Sequence, residues 1–315
     1  MAGIKWDTEF GKILEAFGSQ PRPQAEDALT LRGIVAASLG ALYSFRPAPE
    51  GVDETSFSFP AKDGSTLTMY RFTPHGAKTT EAPALLYVHG GGMVAGSVEL
   101  FKKSIMEIAS KTGISVFAPA YRLAPEHPFP TPVDDVYAAL EHLQDRSGEL
   151  GVDPKRVGVW GASAGGGIAA GVALMARDKA LTPPIAKLHL IYPMLDDRTN
   201  IAPENPLSKF LVWTQKDDNI GWGAYLGAER TNVSPYAVPA RATDVSGLPP
   251  TYIDTGNLDL FRDEILEFAA KLAKANVDVE LHVYRGVPHG WEIVAPDLAV
   301  TKSAVHNRAW ALREL

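Results

Sequence analysis

Gly161-Ala162-Ser163-Ala164-Gly165 places a serine two residues from a glycine on either side. An apolar, strand-like run, Val157–Trp160, precedes it, and an Ala-rich helical run over 168–177 follows. A serine at such a junction sits in a strained, tight turn, and its small neighbours let other chains approach. A serine hydroxyl is a weak nucleophile at neutral pH and needs a base. His289, in Pro288-His289-Gly290-Trp291, comes a few residues after the last strand-like run. That is where sites gather in α/β proteins. His189 and His282 fall inside strand patterns, His142 on a helix, and His75, His127 and His306 in turns or on surface helix. An imidazole base needs a carboxylate to hold its tautomer. Asp259, just beyond the run 251–253, is the candidate, with Asp254 and Asp263 as competitors. Asp254 stands at the strand end, too early to reach out. Asp263 opens a helix, where an acid is ordinarily structural.

His89-Gly90-Gly91-Gly92 follows another apolar run, 85–88. Successive glycines let backbone N–H groups converge on one point, as a developing oxyanion requires. The rival reading is a dinucleotide fingerprint, Gly90-x-Gly92-x-x-Ala95, which expects an acid at the end of the next strand. That strand ends Phe117-Ala118-Pro119-Ala120, without one. No zinc-protease H-E-x-x-H or phosphate-loop lysine motif is present, so neither a metal nor a nucleotide is expected and the chemistry calls for no cofactor. The chain order Ser163, Asp259, His289 is that of α/β-hydrolases.

These groups need a scaffold. The chain has 315 residues, 45% hydrophobic and 21% charged, enough for a large core and unlike a disordered chain. A net charge of −7 gives no field for nucleic acid or anionic lipid. The absence of cysteine removes disulfides and thiolate chemistry. Met1–Asp7 lacks the apolar core of a signal peptide, and no apolar run approaches the roughly 18 residues of a membrane span, so no membrane anchor and a cytoplasmic location are expected. Phe57–Phe59 and Leu67–Phe72 read as two strands joined at Asp63-Gly64. Further strands are expected at 85–88, 114–117, 157–160, 188–192, 251–253 and 279–284, with helices at 99–111, 133–146, 164–178, 262–275 and from about 297. Alternation of this kind predicts an α/β fold with a mostly parallel sheet flanked by helices.

Two stretches stand outside that rhythm. Residues 1–48 read as two helices, with Phe10, Ile13, Leu14 and Phe17 on one face and Leu31, Ile34, Val35, Leu39 and Leu42 on another. Pro21 and Pro23 separate them, and Pro47 and Pro49 end the second. Between Tyr192 and Pro249 no strand is evident, and a structureless loop of that length is unusual. An insertion with its own short helices is expected there, carrying Phe210, Trp213, Trp222 and Tyr225 toward a site. It is also the expected packing partner of the N-terminal helices. The organisation that follows is 1–48 and 195–235 as cap segments, and 49–194 with 236–315 as the catalytic domain.

His89–Gly92, Tyr121-Arg122-Leu123-Ala124-Pro125-Glu126, Gly161–Gly165, Asp259-Leu260-Phe261-Arg262-Asp263-Glu264 and Pro288-His289-Gly290 together resemble the hormone-sensitive-lipase-like esterases, the α/β-hydrolases with the HGGG signature. The similarity spans roughly residues 50–310. It implies an α/β-hydrolase fold and a serine carboxylesterase with Ser163 as nucleophile, His289 as base and Asp259 as its orienter. It also implies an oxyanion hole of the Gly91, Gly92 and Ala164 amides and a helical cap over the acyl pocket. Two positions depart from the family: Ala162 stands where aspartate is usual, and Met93 where an aromatic residue follows the glycines. Met93 is therefore expected in the pocket wall. The implied substrate is a small ester with a short to medium acyl chain. A lactone, carbamate or amide would suit the same triad. A catalytically silent receptor, as among plant gibberellin receptors, lacks the base that His289 supplies here. The strand 279–284 and the final helix leave a homodimer open.

Overall fold

The computed structural model describes residues 3–17, 23–228 and 230–315. Pro21, one of the two expected helix separators, lies outside them, and so does the Phe17 side chain. In chain order the elements are α1 (Thr8–Phe17), α2 (Ala28–Ser44), β1 (Val52–Pro60), β2 (Thr66–Pro74), β3 (Ala82–Val88), α3 (Val98–Thr112), β4 (Ser115–Pro119), α4 (Thr131–Asp145), α5 (Ser147–Leu150), β5 (Val152–Ala162), α6 (Ala164–Asp178), β6 (Lys187–Ile191), α7 (Gln215–Leu226), β7 (Thr251–Gly256), α8 (Arg262–Lys274), β8 (Val279–Tyr284), α9 (Trp291–Val294) and α10 (Ala299–Trp310).

The strands form one sheet in the order β1-β2-β4-β3-β5-β6-β7-β8. β2 runs antiparallel to both its neighbours, and the strands from β4 to β8 are parallel. β4 and β7 are buried along their whole length, which is why they read as unbroken apolar runs. β8 is a free edge and leaves Leu281 and Val283 exposed. The expected hairpin turn is present: Gly64 has φ +83°, and the Asp63 carboxylate accepts the Ser65 N–H at 3.0 Å. Among the described residues, no helix is long and apolar enough to cross a membrane.

Helices start where short polar side chains cap them. Asp27 accepts the Thr30 N–H at the head of α2, Ser97 that of Leu100 at the head of α3, and Thr214 with Asp217 forms a reciprocal box on α7. The 195–235 stretch carries α7 and a 3₁₀ turn at Ser208–Phe210. Glu264 of α8 pins the start of that stretch, accepting the Leu195 N–H at 2.6 Å and the Thr199 hydroxyl.

The N-terminal segment has more than the one expected partner. Trp6 meets Phe210 edge-on at 4.9 Å, and α2 packs on α7. The other end of α2 packs on α3 instead: Tyr43 lies edge-on to Phe101 and its hydroxyl is 2.7 Å from Ser104 Oγ, while Arg46 pairs with Glu107. Arg32 is the central clamp. Its guanidinium donates to the Val94 and Ala124 carbonyls and pairs with Glu126. Helix periodicity predicts an apolar face and is silent about a cation bridging loops about 60 and 90 residues away, which is why the body of the domain was missing from the expectation.

Candidate active site

β5 ends at Ala162 and α6 begins at Ala164, so Ser163 has no room for an ordinary loop. It adopts φ +56° and ψ −125°, a strained conformation for any residue with a side chain. The neighbouring chains lie so close that a Cβ on Gly165 would come within 2.1 Å of the Val88 carbonyl oxygen. The turn is fastened by Ser163 N–H to the Ile191 carbonyl at 2.9 Å and Met194 N–H to the Ser163 carbonyl at 3.0 Å.

The strand ends bring three side chains into one chain of hydrogen bonds. The Ser163 hydroxyl lies 2.8 Å from His289 Nε2, and His289 Nδ1 lies 2.8 Å from Asp259 Oδ2. A carboxylate only accepts, so Nδ1 carries the proton and Nε2 is left to accept from serine. Asp259 is fully buried on the loop after β7, and its second oxygen takes the Phe261 N–H at 3.0 Å. The imidazole is held edge-on to Tyr192 (4.5 Å) and Phe261 (5.2 Å). The competitors are occupied elsewhere. Asp254 pairs with buried Arg308, and Asp263 pairs with Arg262 at the surface.

The glycine run after β3 faces the serine. Gly91 has φ +129° and Gly92 φ +62°, and the Gly91 carbonyl takes the N–H groups of Val94 and Ala95. Among the described residues, no protein acceptor takes the N–H of Gly91, Gly92 or Ala164, the last being a free amide at a helix start. His89 stiffens the run. It is stacked 4.3 Å from Tyr121, donates from Nδ1 to the Gly90 carbonyl at 2.9 Å, and burial lowers its pKa to about 4, so it is neutral.

A cavity of about 270 Å³ opens over Ser163 and His289, roofed by Val35, Leu39 and Leu42 of α2 and walled by Trp213. Of the five side chains expected in its wall, only Trp213 is there. Met93 takes φ +66° and turns toward α6, its methyl lying against Gly167. Trp222 and Tyr225 are buried in the packing of α7, with Tyr225 edge-on to Phe129. Phe210 belongs to a separate small cluster with Leu207 and Leu258. Large aromatic residues in an insertion were needed to build its own core before they could line anything. Sequence reasoning missed Tyr192, Ile293 and Val294, which do line the cavity. The α2 residues carried a readable signal in their helical spacing.

Asp218 of α7 lies near Trp213 and has no ion pair among the described residues. Burial pushes its carboxyl up to about 8, offset only in part by the nearby Trp213 indole N–H, so it is protonated at neutral pH.

A strained serine between strand and helix, with a buried acid and a histidine supplied by later strand ends, defines an α/β hydrolase. The comparisons agree: the chain belongs to the α/β-hydrolase-fold family, whose model matches residues 85–293, in its hormone-sensitive-lipase-like esterase group. It is 34% identical to Esterase LipI of Mycobacterium tuberculosis, over 74% of this chain and 73% of that one. It is 35% identical to Carboxylesterase NlhH of the same organism, over 71% and 74%. Among solved structures it is similar to a bacterial heroin esterase, with 37% identity, a TM-score of 0.88 and 98% of each chain covered. It is also similar to a hyperthermophilic esterase from Pyrobaculum calidifontis, with 29% identity, a TM-score of 0.86 and 99% of each chain covered.

Proposed function

We propose that this chain is a serine carboxylesterase that hydrolyses short- to medium-chain carboxylic esters through an acyl-enzyme. The observation that carries the reading is the unbroken Ser163–His289–Asp259 hydrogen-bond chain opening into an apolar cavity. Ser163 Oγ attacks the ester carbonyl while its proton passes to His289 Nε2. The carbonyl oxygen becomes an oxyanion held by the Gly91, Gly92 and Ala164 amides, which no acceptor among the described residues takes. Asp259 keeps the imidazole in the correct tautomer and stabilises its cation. The imidazolium then protonates the departing alcohol, and water attacks the acyl-serine with His289 again as base. No step calls for a cofactor.

α2 and the 195–235 stretch act together as the cap. The cavity they enclose is at the small end of ligand pockets, which suits roughly C4–C8 acyl chains. A p-nitrophenyl ester series tests this. The rate should peak within that range and fall steeply at C16. A rate that climbs steadily to C16 would refute the closed-pocket reading.

A further inference from the structure

A second, narrower chamber abuts the catalytic cavity. It lies against the sheet face carrying Tyr87, Trp160 and Ala162, between α3 and α10. Its outer end is at Arg46, Glu107 and Lys111, and its inner end shares Phe101, Ala162, Tyr192 and Ile293 with the catalytic cavity. Its room is about 80 Å³, against about 270 Å³ over the serine. That is well below the few hundred Å³ of an ordinary ligand pocket, yet ample for several waters at roughly 10–15 Å³ each. The polar groups along it suit water. Tyr43 and Ser104 present hydroxyls, and Glu107 a carboxylate. At the inner end Glu292 accepts from the Tyr192 hydroxyl and from Arg308 through Oε1, while its Oε2 is buried with no donor among the described residues. A buried carboxylate oxygen left unpaired is costly, and a water in the chamber would supply the missing donor.

We propose that this chamber is a solvent conduit that delivers water, the second substrate, to the acyl-enzyme by a path separate from ester entry. The inference rests on the acyl-enzyme reading above. With an acyl chain under α2, the apolar wall of Val35, Leu39 and Trp213 excludes water from the ester's side. Ala162, immediately before the nucleophile, leaves the inner end of the conduit open because its side chain is a single methyl. In deacylation the water oxygen bonds to the acyl carbon as its proton passes to His289 Nε2. The bond from that carbon to Ser163 Oγ then breaks, and the histidine returns the proton to Ser163.

The test plugs the conduit in the full-length chain, with Ala309→Phe on the α10 wall of the chamber and Ala162→Val beside the catalytic cavity. The substrate is p-nitrophenyl butyrate, whose good leaving group makes acylation fast. Circular dichroism confirms folding. For Ala309→Phe kcat and KM should fall by a common factor, with kcat/KM unchanged because it reports acylation, and Ala162→Val, which also borders the catalytic cavity, should lower kcat. The burst of p-nitrophenolate should persist, and acyl-Ser163 should accumulate in intact-mass spectra. An unchanged kcat in either folded variant, or a fall in kcat/KM at constant KM in Ala309→Phe, overturns the conduit. Failure of the unsubstituted chain to form any acyl-Ser163 overturns the acyl-enzyme reading itself, and the conduit with it.

Discussion

Gly92 carries two constraints that a side chain would violate. Its φ of +62° costs an L-residue about 1–2 kcal/mol. A Cβ there would also stand 2.3 and 2.5 Å from two ring carbons of Trp213, so either the indole swings into the cavity or the glycine loop retreats. The loop has little freedom, because the Gly91 carbonyl is held by the Val94 and Ala95 N–H groups. That carbonyl shares a peptide plane with the Gly92 N–H, so a retreat re-aims this amide. Loss of one oxyanion donor costs about 10²–10³ in kcat, or roughly 3–4 kcal/mol at the transition state. The strain in the folded state is smaller than a typical stability of about 5–15 kcal/mol, so the variant should remain folded. Gly92→Ala is expected to lose about 10² in kcat with little change in KM, and Gly92→Val more. Steady-state kinetics on p-nitrophenyl butyrate, with circular dichroism for folding, measures both. Pairing Gly92→Ala with Trp213→Ala removes the ring contact but not the backbone strain, so activity should return only in part. Near-normal kcat in folded Gly92→Val would show that the glycines form a turn and nothing more.

Asp259→Asn leaves the shape but supports the wrong imidazole tautomer, so kcat should fall by about 10⁴ while Ser163 stays in place; a loss under tenfold in kinetic assays would assign the orienting role to another acid. Arg32→Ala should loosen α2 over the cavity, raising KM and flattening the acyl-chain preference in the ester series; an unchanged profile would mean that α2 holds its place without the clamp. Burial lowers the pKa of His89 to about 4 and of His189 to about 3, so both are neutral in the fold but titrate near 6.5 when unfolded. Below pH 6.5 the unfolded chain therefore binds more protons. Stability should decline as pH falls toward 4, by about 3 kcal/mol for His89 alone. Urea midpoints measured across that window check the sign, and His189→Phe should make the slope shallower.

The positions of the parallel strands along the chain were legible because buried parallel strands must be apolar runs between helical spacings, as β4 and β7 are, while their order in the sheet was not. Ser163, His289 and Asp259 were legible because each stands just past a strand end, where the fold leaves side chains free. Met93 and Trp222 were misread for a common reason. Composition tells that an aromatic or sulfur side chain will be buried, but not whether its neighbour is a cavity or more protein. Met93 turns away through a positive φ that no local residue type announces. The Arg32 clamp and the Tyr192–Glu292–Arg308 network join elements too distant in the chain for spacing to reveal.

The most direct test of the account is the site of covalent labelling. A fluorophosphonate should modify the purified protein once, with the mass shift on the peptide containing Ser163 and loss of esterase activity in parallel. Ser163→Ala should stay folded, take no label and lose on the order of 10⁶ in kcat. An adduct on Ser97 or Ser208, or a folded Ser163→Ala protein retaining more than about 1% of the activity, would contradict it.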